Sequence, residues 1–178
     1  EYFLQFPGFA GTTAGLAIAD RVKPLKNTEE AFKVVDFKKA RDAVTRLKGD
    51  AEIKVAVTGP ITLGFTSASR GLRHYRSIID GDLYMDIAAA LRPIIVELIR
   101  RGAYVQIDEP GLSAGFMNPK RAAEILNQLM ADLNVSPSDF GRLSLHVCGD
   151  LTKIPTLPAA LEKLKVPTLS LAFSGRRE

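Results

Sequence analysis

Apolar stripes at helical spacing alternate along this chain with short β-rich runs, and each run ends in polar residues. That alternation is what a parallel α/β sheet produces, because parallel strands need a crossover helix between them. Asp36 is placed to cap a helix whose apolar positions Ala40, Val44 and Leu47 recur at helical spacing and which stops at Gly49; 53–57 then reads as a buried strand. Leu83, Ile87, Leu91, Ile94, Ile95 and Leu98 form the stripe of a longer helix, bent at Pro93 and ended by Gly102, with a strand over 103–107 after it. Asn118-Pro119 is a cap followed by a first-turn proline, and Ala122, Ile125, Leu126, Leu129 and Leu133 carry the buried face that follows. A strand over 143–147, a short helix over 157–164 and a strand over 168–172 complete the series, and 16–19 reads as an earlier strand.

The expected fold is therefore α/β, a (β/α)8 TIM-type barrel. An eight-unit barrel takes about 250 residues, so a chain of 178 residues supplies only around five of the units. Residues 1–178 read as one domain, part of such a barrel, with a small open sheet as the structural alternative. The chain starts without methionine in structured-looking sequence and ends directly after a strand-like run, as expected of a piece of something longer. An incomplete barrel exposes sheet edges, so self-association or a complementary chain is expected.

Composition narrows the classes further. With 46% hydrophobic and 25% charged residues the chain can bury a core, which argues against disorder. The net charge of +4 is spread along the sequence apart from one cluster, and no nucleic-acid partner is expected from it. A single cysteine, Cys148, excludes an internal disulfide framework and fits a reducing compartment, so a cytoplasmic location is expected. No apolar run reaches the roughly 18 residues needed to cross a bilayer, and no targeting signal is visible.

In a parallel barrel the working residues project from the carboxyl ends of the strands, and this sequence places its unusual residues there. Thr58-Gly59-Pro60, Asp108-Glu109-Pro110, His146-Val147-Cys148-Gly149-Asp150 and Phe173-Ser174-Gly175 each follow or end a strand. Asp108 and Glu109, being adjacent, send their side chains to opposite faces, so one carboxylate enters the mouth, where it suits a substrate ammonium group or base chemistry. His146 and Cys148 are two apart on a strand and point to one side, the geometry of a pair of zinc donors; a buried structural cysteine beside a satisfied histidine is the competing reading. Arg70, Arg73, His74 and Arg76 lie in and just after a Gly/Ser-containing loop, 64–71, where Arg70 and Arg73 can meet an anion or form a solvated helix start. The glycines of 8–15 match neither nucleotide-binding pattern and read as a loop.

Together, Val57-Thr58-Gly59-Pro60-Ile61-Thr62-Leu63, Val105-Gln106-Ile107-Asp108-Glu109-Pro110-Gly111-Leu112 and Leu145-His146-Val147-Cys148-Gly149-Asp150 resemble the catalytic barrel of the cobalamin-independent methionine synthase family, most closely its short archaeal form. The resemblance covers roughly residues 50–175. It implies a methyltransferase acting on the thiol of homocysteine to give methionine, with zinc as cofactor and a methyltetrahydrofolate polyglutamate or a methylcorrinoid as methyl donor. Carried over, His146 and Cys148 are zinc ligands, Asp108 receives the substrate amino group, and Glu109 neighbours it in the substrate site. One departure stands out: the family glutamate ligand falls at Ala172, in Leu169-Ser170-Leu171-Ala172-Phe173, which leaves Asp150 or Glu178 as alternatives, and the family's second cysteine ligand falls beyond residue 178. A uroporphyrinogen-decarboxylase-like or corrinoid-dependent thiol methyltransferase, and a barrel part that binds without turnover, are the competing readings.

Overall fold

Four parallel strands lie side by side in the order in which the chain makes them: β3 (Lys54–Thr58), β4 (Tyr104–Asp108), β5 (Leu143–Val147) and β6 (Thr168–Leu171). The computed structural model describes residues 2–172. Before the sheet come a hairpin of β1 (Phe9–Thr12) and β2 (Gly15–Ile18) and the helix α1 (Phe32–Arg46). Between strands run α2 (Pro60–Ala68) and α3 (Gly81–Arg100), then α4 (Pro110–Ser113), α5 (Pro119–Asp132) and α6 (Pro137–Phe140), then α7 (Leu157–Leu161).

Alternation along each strand decides what the two faces of the sheet do. Val57, Val105, Ile107, Leu143, Leu145 and Val147 are all at most 1% exposed and meet the helices. The stripe of α3 is buried as its spacing predicts, with Leu83, Ile87, Leu91, Ile94, Ile95 and Leu98 no more than 1% exposed. Each such side chain gains roughly 1.5–3 kcal/mol from burial, against tenths of a kcal/mol from helix propensity, so packing holds this helix in place. Pro93 lies inside α3, which continues through it to Arg100. Asp80 caps α3 by accepting from Asp82 N, and Asn118 caps α5 by accepting from Lys120 N and Arg121 N. On the opposite face Lys54, Gln106, Asp108, Ser144, His146 and Ser170 remain half-buried or exposed.

Several expectations need correction. The early strand exists, but it is half of an antiparallel hairpin and lies outside the parallel sheet. Its glycine-rich stretch, expected as a loop, folds back because Gly15 adopts φ +118° and Thr12 Oγ1 donates to Gly15 O. The described parallel sheet thus has four strands where five were expected. Asp36 does not begin α1; the helix starts at Phe32, after a 3-10 turn over Thr28–Glu30 capped by Asn27. Its buried residues are Val34 and Phe37, whereas Leu47 of the expected stripe is 83% exposed. Residues 60–68, expected as turn and loop, form α2, whose apolar content is buried against α3. Among the described residues no helix is long and apolar enough to cross a membrane.

Candidate functional site

The parallel register puts Thr58, Asp108, His146 and Ser170 in one row across the four strands, on the face turned away from the helices. The row one step nearer the strand starts is Ala56, Gln106, Ser144 and Thr168. Partners in register share a face, so strand pairing brings the Asp108 carboxylate and the His146 imidazole together although the chain separates them by a whole βα unit. The strand tips are laced by main-chain hydrogen bonds that continue the ladder: Gly59 N donates to Asp108 O at 2.9 Å and Glu109 N donates to His146 O at 2.8 Å.

Asp108 is half-buried, and its Oδ1 accepts from Gln106 Nε2 at 2.7 Å. His146 Nδ1 lies 3.2 Å from both Ser170 O and Ser170 Oγ. A carbonyl oxygen can only accept, so in a neutral ring this contact is made with the proton on Nδ1 and the lone pair on Nε2. Cys148 is partly buried just past the end of β5, and its carbonyl accepts from Ser113 Oγ. Gly149 follows with φ +93°, turning the chain under Ser113.

Glu109 has a different situation. It is 0% exposed, and its carboxylate reaches across to the start of α2, accepting from Ile61 N at 2.8 Å, Thr62 N at 2.9 Å and Thr62 Oγ1 at 2.6 Å. Gly59, the residue before α2, has no side chain with which to cap it, and Pro60 has no N–H, so the carboxylate of the next loop satisfies the helix start from outside. Thr62 Oγ1 in turn accepts from Gly111 N at 2.9 Å, joining the two loops a second time. Burial lifts the Glu109 carboxyl to about 7 against the pull of its donors, with the neighbouring Asp108 charge adding to the rise. Both Glu109 oxygens accept from the start of α2, whereas the Asp108 carboxylate accepts from Gln106 on its own strand.

Arg70 and Arg73 are not brought to this row by any contact described. Arg70 follows α2 at the end away from Glu109, about 13 Å along the axis for a nine-residue helix. Its Nη1 donates to Thr66 O at 2.9 Å, and it packs on Gly15 of the hairpin. Arg73 is exposed and its N–H donates to Ile18 O at 3.0 Å. His74 approaches Asp20 at 3.4 Å, and Arg76 N donates to Asp80 Oδ2. The cluster belongs to the hairpin and the loop after α2.

As a zinc centre the described residues are incomplete. His146 and Cys148 offer two donors of suitable chemistry, yet among the described residues no group of three or more His, Cys, Asp or Glu side chains converges. Ala172 follows the end of β6 and donates its N–H to Val147 O at 3.2 Å, and a methyl group binds no metal. Asp150 caps a 3-10 turn through Thr152. Glu178 and Phe173-Ser174-Gly175 lie outside the described residues. Residues that sequence reading passed over are Thr62, Gln106, Lys54 and Ser170. Gln106 alone carried a signal, its two-residue spacing from Asp108 on a strand; the others enter through register and loop packing.

The family described as cobalamin-independent synthase, catalytic domain, matches residues 15–178. A methionine synthase of Methanothermobacter thermautotrophicus is 34% identical over 125 residues, 70% of this chain and 37% of that protein. One from Methanocaldococcus jannaschii is 30% identical over 143 residues, 80% of this chain and 43% of its own length. One from Methanothermobacter marburgensis is 33% identical over 129 residues, with 70% and 37% covered. The matched part of the chain thus spans 37–43% of the length of these relatives.

Proposed function

The chain belongs to the cobalamin-independent synthase family, and from that premise we propose that it carries part of the site of a homocysteine S-methyltransferase that makes methionine. The observation that carries this reading is the register of Asp108 opposite His146 on one face of the sheet. In it, Asp108 receives the ammonium group of the amino acid, a charge-assisted contact that fixes the substrate at its α-carbon. His146 and Cys148 are two of the donors of a zinc ion, which when bound lowers the pKa of a substrate thiol so that a thiolate is present at neutral pH. Ser170 contacts Nδ1 of His146, which in this reading leaves Nε2 as the nitrogen that would meet the metal. Glu109 acts through position, holding α2 at the strand tips.

The family name favours a methyltetrahydrofolate polyglutamate over a methylcorrinoid as methyl donor, and over the uroporphyrinogen-decarboxylase-like alternative. Arg70 and Arg73 are proposed to meet the anionic tail of such a donor. Ala172 favours a second reading, in which the chain binds the amino acid without turnover unless another chain supplies the missing donors. A calorimetric titration with homocysteine and with methionine, with and without zinc, tests the reading. Binding that is lost in Asp108→Asn supports it; equal binding by both proteins, or none by the parent, sinks it.

A further inference from the structure

The face that carries Asp108 also carries a run of side-chain hydrogen bonds that the proposed reaction leaves unused. Lys54 Nζ donates to Gln106 Oε1 at 2.8 Å, and Gln106 Nε2 donates to Asp108 Oδ1 at 2.7 Å. The three residues step diagonally from the start of β3 to the tip of β4: Lys54 pairs in register with Tyr104, two residues before Gln106, which is two before Asp108. Lys54 is exposed, while Gln106 and Asp108 are half-buried.

We infer that Gln106 is the positioning residue for Asp108, oriented in turn by Lys54, and that together they leave Asp108 Oδ2 as the oxygen that takes a substrate's primary ammonium group. The inference rests on the proposed role of Asp108. A glutamine amide is chemically two-faced, and nothing in the residue itself decides which end points where. Here both neighbours decide it the same way. An ammonium group can only donate and takes the carbonyl; a carboxylate can only accept and takes the NH2. Reversing the amide would set donor against donor and acceptor against acceptor, so one orientation survives, with a charge assisting each end.

The spacer being neutral matters as much as its orientation. Lys54 bonded directly to Asp108 would satisfy the carboxylate charge and compete with an incoming ammonium group. Through the amide, Lys54 fixes the geometry and leaves the negative charge of Asp108 for the substrate. Among the described residues Gln106 is the one side chain hydrogen-bonded to the Asp108 carboxylate. Removing it frees the rotamer of Asp108, and that freedom must then be lost again on binding.

The test uses the whole chain and two probes. First, the side-chain amide of Gln106 is followed by 15N NMR without added ligand, in the parent, Lys54→Met and Asp108→Asn; its signals should move in both variants. Second, methionine is titrated calorimetrically into the parent, Gln106→Leu, Gln106→Glu and Lys54→Met. The dissociation constant should rise about tenfold in Gln106→Leu and about threefold in Lys54→Met, with Gln106→Glu worse than Gln106→Leu because a second carboxylate repels Asp108. A Gln106 amide indifferent to both variants overturns the relay. Unchanged methionine affinity in Gln106→Leu, where Asp108→Asn abolishes binding, overturns the positioning role. No methionine binding by the parent, with the amide shifts intact, marks failure of the functional reading instead and takes the substrate half of the inference with it.

Discussion

Gly59 and Glu109 fit against each other without slack: a Cβ on residue 59 would stand 2.2 Å from Oε1 of Glu109. The backbone of Gly59 is ordinary, with φ −76°, so the requirement for glycine here is one of space. The carboxylate passes through the volume that any side chain would fill on its way to the start of α2.

Gly59→Ala should therefore destabilise the protein by about 3 kcal/mol, the upper range for overpacking, because neither the buried carboxylate nor the strand-tip backbone can move aside cheaply. Urea denaturation at pH 7 measures it; a loss under about 0.5 kcal/mol would mean that the carboxylate moves without cost.

Thr62→Val keeps the shape of the side chain and removes its hydroxyl, which bonds both Glu109 Oε2 and Gly111 N. A loss of about 1–3 kcal/mol is expected from the buried groups left without a partner. Thr62→Ser should recover most of it, and the two variants compared by thermal melting separate the hydrogen bonds from packing.

The Glu109 carboxyl is held at about 7 in the folded chain, above its ordinary 4.5, chiefly by burial. The folded state thus keeps a proton that the unfolded chain has given up, and the associated stability is complete below about pH 4.5 and is lost as pH rises through 7. The loss is on the order of 3 kcal/mol. Glu109→Gln, which has nothing to titrate, should lack this part of the slope; parallel stability curves for the two proteins between pH 4.5 and 7.5 would contradict the assignment.

Ala172→Glu puts a carboxylate one residue past the end of β6, as Cys148 is one residue past the end of β5. By elemental analysis that variant should hold zinc more tightly than the parent, and His146→Ala or Cys148→Ala in the same background should release it. Zinc retained in both double variants would place the metal elsewhere.

Arg70→Ala and Arg73→Ala should each weaken binding of a methyltetrahydrofolate polyglutamate a few-fold, with the difference shrinking as salt is raised, since both side chains are exposed. Loss of homocysteine binding in the same variants would contradict their separation from the Asp108 row.

The parallel core was legible because its signals are local: the stripe of α3, the Asn118 cap of α5 and the apolar runs of β4 and β5 each declare themselves within a few residues. The α1 start was misread because Asp36 is a good capping residue in isolation, whereas burial of Val34 and Phe37 sets the helix earlier. Residues 60–68 looked like loop because Gly59, Pro60, Gly64 and Ser67 are breaker residues; the cap that makes them helical arrives from Glu109, 48 positions away from Ile61. At the candidate site, His146, Cys148 and Asp108 stand out in the sequence through strand periodicity and family likeness. Lys54 and Ser170 were invisible because their roles come from register, which one sequence does not disclose.

Among the described residues, each strand of the parallel sheet pairs only with its neighbours in sequence. Such a sheet can grow in one direction during synthesis: every new βα unit finds its docking edge already made by the unit before it, and no segment has to wait for, or thread between, parts not yet translated. The row from Thr58 to Ser170 is therefore translated in the order in which it lies across the sheet: Asp108 is made before His146, and the residue against the imidazole is the last of the four.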